Sequence, residues 1–158
     1  MRLSDLAIAD AMVVPLLGTN RKAVLTELVT ALQRCGVVKK KSVDALVGAL
    51  LARERRGSTG YGKGVAVPHV QHAGVEKLAA TVGLSPDGVD FEALDRAAVH
   101  SFILLLGPPA KTDQFQEAMN VVWRHLQTDN FRRFLRQTNT AKDVVELIAE
   151  TDDGLGLE

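Results

Sequence analysis

The chain has little of several features that define whole classes of protein. It has one cysteine, Cys35, in 158 residues, so it cannot form an internal disulfide or a cysteine-rich metal site, and this usage fits a reducing compartment. No apolar run approaches the roughly 18 residues that a membrane-spanning helix needs. The segment Met1 to Asp10 carries charges where a secretory signal has its apolar block. We therefore expect a cytoplasmic protein with no direct membrane insertion.

The chain also has few aromatic residues and no excess of either positive or negative charge. Aromatic side chains make up 4% of the chain, and 19 Lys and Arg residues balance 19 Asp and Glu residues. A protein that binds nucleic acid typically has a basic stripe or an aromatic platform for base stacking, and neither stands out here. We expect partners that are proteins or small molecules, and no nucleic acid.

Apolar residues recur at helical spacing in five segments. The first helix is predicted at about 21 to 35, with Asn20 as its N-cap and Gly36 as its stop. The second is predicted to follow Ser42 and to end near Arg56. Three more follow the strands, with predicted starts at Thr112, Asp129 and Thr140.

Short apolar runs of strand type lie between these two groups of helices. Pro86, Asp87 and Gly88 predict a turn between the second and third of them. An earlier run, Ala11 to Leu17, is broken by Pro15 and suits an edge strand. The three central runs are Val65 to Val70, Leu78 to Leu84 and Val99 to Leu106.

This order of elements predicts the α/β class, with a single domain over residues 1–158 in which a mixed β-sheet is flanked by helices on both faces. No repeat, low-complexity tract or long linker divides the chain. The tail, residues 152–158, is expected to be disordered.

The chemistry is expected in the segment GSTGYGKGVAVPHV, residues 57–70. His69 follows a proline at the end of a short apolar strand, and a neutral imidazole near pH 7 can act as a nucleophile or carry a proton. The glycines upstream would let backbone N–H groups approach an anion, and Lys63 adds a positive charge. This combination suggests phosphoryl transfer onto the imidazole, although His69 could equally be a structural residue that ends a strand.

Nucleotide-binding motifs explain the glycines poorly. Gly57, Gly62 and Lys63 fit the start of a P-loop, but Gly64 stands where a magnesium-binding hydroxyl is needed. The loop also follows a helix and enters a strand, the reverse of the required order. The GxGxG spacing from Gly60 does not match the dinucleotide fingerprint either.

The four histidines do not predict a metal site. His69 and His72 are three residues apart at a strand end, where they would not converge on an ion, and no acidic partner follows until Glu76. His100 opens a strand, and His125 is expected on the solvent-facing side of its helix. We expect no metal and no cofactor.

Two runs of sequence, Arg53 to Gly60 and Gly62 to His69, resemble the enzyme IIA domains of the bacterial phosphoenolpyruvate-dependent phosphotransferase system. The likeness is to the mannitol and fructose class, and within it the nitrogen-regulatory type. It implies that His69 accepts a phosphoryl group from an HPr-type phosphocarrier protein, and that Arg53 lies beside it and binds the phosphoryl oxygens. Within the resemblance, the loop around the phosphate would be shaped by Ser58, Thr59, Gly60, Gly62 and Gly64, and Lys63 could either contact the phosphate or face solvent.

The sequence departs from this family at three places. Val70 follows the histidine where a small residue is common, and Tyr61 stands at a position that is usually aliphatic. Relatives also carry a second histidine near the start of the helix after the long apolar strand, where this chain has Phe115 or, with a shifted loop, Asp113 or Gln114.

Two functions therefore stay open. One is a phosphorelay protein that acts in regulation or onward transfer. The other is a regulatory binding module with the same fold, which docks a target protein without being phosphorylated.

Overall fold

The structure is a computed structural model that describes residues 1–158. Its six α-helices are α1 (Leu3–Leu6), α2 (Arg21–Arg34), α3 (Val43–Arg55), α4 (Thr112–Leu126), α5 (Asp129–Gln137) and α6 (Ala141–Gly154). Its five strands are β1 (Gly60–Gly62), β2 (Val65–Ala66), β3 (His69–Gln71), β4 (Ala79–Val89) and β5 (Val99–Gly107). Two short 3-10 turns cover Ala9–Ala11 and Lys40–Ser42.

The sheet is built around β5. Strand β4 pairs with it antiparallel along one side, while β2 and β3 pair with it parallel, one after the other, along the other side. Strand β1 pairs antiparallel with the outer edge of β2. The sheet is therefore mixed, and β2 and β3 behave as two halves of one interrupted strand.

The side chains of β5 alternate between two apolar cores. Phe102, Leu104 and Leu106 pack into the core that contains α2 and α3, whereas Ile103 and Leu105 pack into the core that contains α1, α4, α5 and α6. Because side chains of a strand point alternately to opposite faces, a strand covered on both faces is apolar throughout. This arrangement confirms the predicted α/β fold class, with helices on both faces of a mixed sheet.

The helices begin and end close to their predicted positions. Asn20 caps α2 by accepting a hydrogen bond from the N–H of Ala23 (2.9 Å), and Thr140 caps α6 through the N–H of Asp143 (3.1 Å). Gly36, after α2, has a φ of +80°, which glycine adopts readily. Ser42, in contrast, makes no capping hydrogen bond to α3.

The strands differ from the prediction in three respects. The run from Val65 to Val70 is interrupted between β2 and β3, because Pro68 has no N–H to donate to a ladder. The predicted turn at residues 86–88 lies inside β4, which passes it with an irregular register between Leu84 and Val89. The expected edge strand at residues 11–17 contributes only an isolated bridge, from Val13 to Gly83 of β4.

The sequence suggested that residues 152–158 are disordered, but the first three of them are helical. Helix α6 continues to Gly154, and the fully buried carboxylate of Asp152 accepts hydrogen bonds from the N–H groups of Leu3 (2.9 Å) and Ser4 (3.0 Å). Its Oδ1 also lies 2.9 Å from Nε2 of His125. The end of α6 is thus held by polar contacts from the start of the chain.

The expected exposure of His125 is also wrong. Its side chain is fully buried, with Nδ1 2.9 Å from the carbonyl oxygen of Val121 and the ring edge against Phe131. Its polar neighbours in the core are the carbonyl oxygen of Val121 in its own helix, α4, and the carboxylate of Asp152 in α6. No helix of the chain combines the length and apolar character needed to cross a membrane.

Candidate active site

His69 stands at the interruption between β2 and β3. Its backbone begins β3 and pairs with Leu105 of β5. The carbonyl of Pro68 accepts a hydrogen bond from the N–H of Leu105 (3.0 Å), and the N–H of Val67 donates to the carbonyl of Thr59 (3.2 Å). The preceding carbonyl, that of Val67, lies 2.7 Å from Nδ1 of the His69 ring.

This contact determines the tautomer of His69. A carbonyl oxygen only accepts hydrogen bonds, so Nδ1 must carry the proton, and the neutral ring keeps its lone pair on Nε2. The Nε2 atom makes no hydrogen bond within the chain, and the side chain is only partly buried. The free nitrogen of His69 is therefore a nucleophile that is available to a partner.

The pKa of His69 is held below its ordinary value. Burial is the largest cause, because it disfavours the charged ring, and the positive charge of Arg53 lowers the pKa further. The hydrogen bond to Val67 and the negative charge of Glu54 act in the opposite direction but are outweighed. The ring is consequently neutral at pH 7, as a nucleophile requires.

Arg53 lies in the last turn of α3, close enough to His69 for its charge to act on the imidazole. One nitrogen of its guanidinium, Nη1, donates a 2.7 Å hydrogen bond to the carbonyl of Gly57. This bond orients the side chain and leaves the other donors of the fork free. A free guanidinium edge suits the oxygens of a phosphoryl group.

Glu54 organises the loop that follows α3, a role that the sequence analysis missed. Its buried carboxylate accepts hydrogen bonds from the N–H of Thr59 (3.0 Å), from the hydroxyl of Thr59 (2.7 Å) and from Ser58 (3.3 Å). The hydroxyl oxygen of Ser58 in turn accepts from the N–H of Gly60 (3.0 Å). A signal was present, because Glu54 follows Leu50 at helical spacing on the buried face of α3.

The structure divides the predicted phosphate loop into two parts. Ser58, Thr59 and Gly60 lie on the His69 side, since the carbonyl of Thr59 binds Val67. The tight turn at residues 62–64 instead lies at the start of β5, where the carbonyl of Gly64 accepts hydrogen bonds from the N–H groups of residues 100 and 101. That point is four residues before Leu105, roughly 13 Å along the strand.

Lys63 therefore does not contribute its charge beside His69. It occupies a left-handed conformation with φ 60° in the turn between β1 and β2, and its side chain is exposed. It lines an open cleft together with arginines of α5. The structure does not bring Gly62, Lys63 or Gly64 to the imidazole.

Phe115 faces His69 from the first turn of α4. The two ring centroids are 6.2 Å apart, with the planes tilted by 42°. The phenyl ring is buried and rests on Gly107, where an added Cβ would lie 2.8 Å from Cδ2 of Phe115. An apolar side chain thus covers one side of the nucleophile, while Asp113 and Gln114 remain exposed in the same turn.

The other histidines take no part in this site. Nδ1 of His72 accepts a hydrogen bond from the N–H of Gly74 (2.9 Å), Nδ1 of His100 lies 3.0 Å from the carbonyl of Ser85, and His125 lies in the core. No group of three or more His, Cys, Asp or Glu side chains is arranged to hold a metal ion. The site thus combines one free imidazole nitrogen, one guanidinium and one apolar cover.

The chain is similar to known proteins in both sequence and fold. The family model for the phosphoenolpyruvate-dependent sugar phosphotransferase system, EIIA 2, matches residues 9–151. The chain is 29% identical to the nitrogen regulatory protein of Pseudomonas aeruginosa over 98% of this chain and 99% of that protein. The crystal structure of the nitrogen regulatory protein IIA-Ntr from Neisseria meningitidis superposes with a TM-score of 0.81 at 26% identity, over 92% of this chain and 98% of that one.

A longer relative matches as well. The chain is 27% identical to the fructose-specific EIIABC component of Bacillus subtilis over 96% of its own length, but spans only 24% of that protein. The match thus falls within one part of a larger polypeptide. On the family model and these similarities, the chain belongs to the EIIA 2 family of the phosphoenolpyruvate-dependent sugar phosphotransferase system.

Proposed function

We propose that this protein is a phosphoryl acceptor in which Nε2 of His69 takes a phosphoryl group from a phosphohistidine carrier of the HPr type in the cytoplasm. The observation that carries this proposal is the 2.7 Å contact between Nδ1 and the carbonyl of Val67, which leaves Nε2 as the nucleophile. In the transfer, the N–P bond on the carrier breaks as a new N–P bond forms on Nε2. The proton on Nδ1 stays where it is, so no separate base is needed.

The charge that arrives with the phosphoryl group is balanced by Arg53. Phosphoryl transfer depends mainly on positioning and on neutralising the oxygens of the transferred group. The free donors of Arg53 can bind those oxygens, while Glu54 keeps the loop of Ser58 and Thr59 in place. Phe115 limits access of water from its side, which favours a phosphohistidine that persists.

We propose a regulatory output for the phosphorylated protein. The similarity to the nitrogen regulatory protein of Pseudomonas aeruginosa extends over nearly the full length of both chains, which supports this role above onward transfer to a sugar transporter. A phosphoryl group on His69 would add negative charge to a partly exposed surface. A target protein that docks there would bind the two forms with different affinity.

A second candidate function is binding without phosphorylation. Phe115 favours it, because the residue that faces His69 is an apolar ring that cannot donate a hydrogen bond to a phosphoryl oxygen. In this case the face around His69 would dock a regulatory target directly.

The test is incubation of the protein with phosphoenolpyruvate, enzyme I and an HPr-type carrier, followed by measurement of acid-labile phosphate. We expect label on the wild type, none on His69→Ala and full label on His72→Ala. His72 is a matched control because it is a partly buried histidine three residues away whose contact is local. Label that survives His69→Ala, or a wild type that no carrier labels, would contradict the proposal and favour the binding module.

A further inference from the structure

One surface of the chain away from His69 brings together several positively charged side chains. Lys63, from the β1–β2 turn, and three arginines of α5 line an open cleft of about 540 Å³. Asp129 and Gln137 complete its lining, which contains no hydrophobic residue. We call this set of residues, together with the exposed ring beside them, the α5 basic surface: Lys63, Arg132, Arg133, Phe134 and Arg136.

Two of these arginines carry charge that no carboxylate neutralises. Arg133 donates a hydrogen bond to the side-chain oxygen of Asn130 (2.9 Å), and Arg136 donates to Nε2 of His100 (3.0 Å). Both partners are polar but not anionic, because Nδ1 of His100 faces the Ser85 carbonyl and Nε2 is then an acceptor. These bonds orient the two guanidinium groups while their charge stays available.

Arg132 has a different role within the same cleft. It donates to the carbonyl of Leu126 and pairs with the carboxylate of Asp129, so it joins the end of α4 to the start of α5. Its charge is therefore already compensated, and its side chain is held in place at one side of the cleft.

An exposed aromatic ring lies next to one of these cations, Arg133. Phe134 is 45% exposed, and the guanidinium of Arg133 stands 5.1 Å from its ring centroid. Arginine and aromatic side chains are the residue types that most often dominate the binding energy of protein interfaces. Arg133 and Phe134 thus place a charged contact and an apolar contact side by side on α5.

The α5 basic surface is separate from the active site. Arg136 is joined to His100 near the start of β5, whereas His69 pairs with Leu105. These two positions on β5 are five residues apart, roughly 16 Å along the strand. A partner bound at α5 would leave Nε2 of His69 open to its own reaction.

We propose that the α5 basic surface docks an acidic segment of a protein partner, with carboxylates on Arg133, Arg136 and Lys63 and an apolar side chain against Phe134. Charge complementarity identifies the partner as anionic. A protein segment fits better than a nucleic acid, because Asp129 is 87% exposed at the rim of the cleft and α6, which packs on α5, exposes Asp143, Glu146 and Glu150. These carboxylates would repel a continuous phosphate backbone but leave room for a short acidic segment.

The experiment measures binding of a fluorescein-labelled peptide of Asp, Glu and Leu residues by fluorescence anisotropy at low salt. Duplex DNA and inorganic polyphosphate of comparable charge serve as alternative probes. The variants are Arg133→Gln with Arg136→Gln, and Phe134→Ala. The matched control is Lys40→Gln with Lys41→Gln, which removes the same charge from two exposed lysines in the 3-10 turn before α3.

We expect peptide binding that weakens about 10-fold or more in the double arginine variant, since two charged contacts are lost. Phe134→Ala should weaken it about 3-fold or more, and the lysine control should bind as the wild type does. Absence of peptide binding, equal weakening in the lysine control, or tighter binding of DNA or polyphosphate would overturn the proposal. The measurement needs no phosphorylation, so its result is independent of the proposed reaction at His69.

Discussion

Nδ1 of His69 and the carbonyl oxygen of Val67 lie 2.7 Å apart, so the backbone two residues before the imidazole determines which ring nitrogen is free. The contact exists because the strand is interrupted at Pro68, which leaves the carbonyl of Val67 out of the sheet. The reactive atom is thus selected by the course of the main chain.

The first prediction concerns the titration of His69. Because burial and Arg53 lower its pKa, the ring should stay neutral as the pH falls below about 6.5, the ordinary value for histidine. Phosphoryl acceptance should therefore persist below that pH until the lowered pKa is reached. Nitrogen-15 NMR should show the Nδ1–H tautomer, and Arg53→Gln should raise the pKa part of the way back.

The lowered pKa of His69 also makes the folding stability depend on pH. The unfolded chain takes up a proton on this ring more readily than the native protein, so His69 reduces the free energy of unfolding as the pH falls below about 6.5. An Nε2–H tautomer, or a pKa at or above the ordinary value, would contradict this account of the site.

The second prediction concerns Asp152. Burial alone would raise its pKa, but hydrogen bonds from Ser4 and Leu3 and the nearby His125 hold the pKa below its usual range. The stabilisation should therefore be complete above about pH 4 and lost as the pH falls through the lowered pKa. Asp152→Asn should reduce the free energy of unfolding by about 1 to 3 kcal/mol, because it replaces a buried carboxylate oxygen that accepts a backbone hydrogen bond by an amide group that cannot accept one.

Asp153→Asn is the control for this measurement. Asp153 is the next residue and pairs with Arg2 at 2.8 Å, but its side chain is 71% exposed. An exposed pair contributes about 0 to 1 kcal/mol, so urea unfolding should barely change. Equal effects of the two substitutions would show that the buried contacts of Asp152 do not stabilise the fold.

The third prediction concerns Glu54. Replacement by Gln keeps the size of the side chain but puts an amide group against the donors of Thr59 or Ser58. We expect a loss of about 1 to 3 kcal/mol in the free energy of unfolding and a slower phosphorylation of His69, since the loop beside it is no longer held.

Glu76→Gln provides the comparison for Glu54. Glu76 is 52% exposed and its nearest cation, on Lys39, is 3.8 Å away. This variant should match the wild type in both stability and phosphorylation rate. If the Glu54→Gln protein is phosphorylated at the wild-type rate, the loop held by Glu54 plays no part in the reaction.

The fourth prediction compares a glycine that is tightly packed with one that has open space around it. Gly107→Ala would place Cβ 2.8 Å from the ring of Phe115, whereas Gly48 in α3 has nothing within 4 Å of an added Cβ. We expect Gly107→Ala to displace Phe115, expose His69 to water and raise its pKa toward the ordinary value. Gly48→Ala should stabilise the protein by up to about 1 kcal/mol through helix propensity. An unchanged His69 titration in Gly107→Ala would show that Phe115 does not desolvate the ring.

Much of the fold could be predicted from local patterns. Helix α2 was visible because Val24, Leu25, Leu28 and Leu32 recur at helical spacing after a capping residue, and β5 because it is apolar on both faces. These signals depend on neighbours within a few residues, which is the range that a single sequence makes visible.

The parts that were missed depend on distant contacts. His125 was expected in solvent because its core partner Asp152 lies 27 residues away, on a helix whose end was taken for a disordered tail. Lys63 could have contacted the phosphate or faced solvent on the sequence alone, because it is close to His69 in the chain, yet the hairpin and the parallel strand carry the two residues to different ends of β5. Only the pairing register separates such residues.

The carboxylate of Asp152 connects the end of α6 to the first residues of α1, so the two ends of the chain are held together. Fraying at either terminus is then a single event, because neither end can detach without uncovering the other. Trimming of α6 by a protease would release the N-terminal segment as well, and with it the bridges from Ala7 and Val13 that shield the outer edge of β4. Hydrogen exchange at the amides of Leu3 and Ser4 should accordingly be as slow as that in the middle of α6.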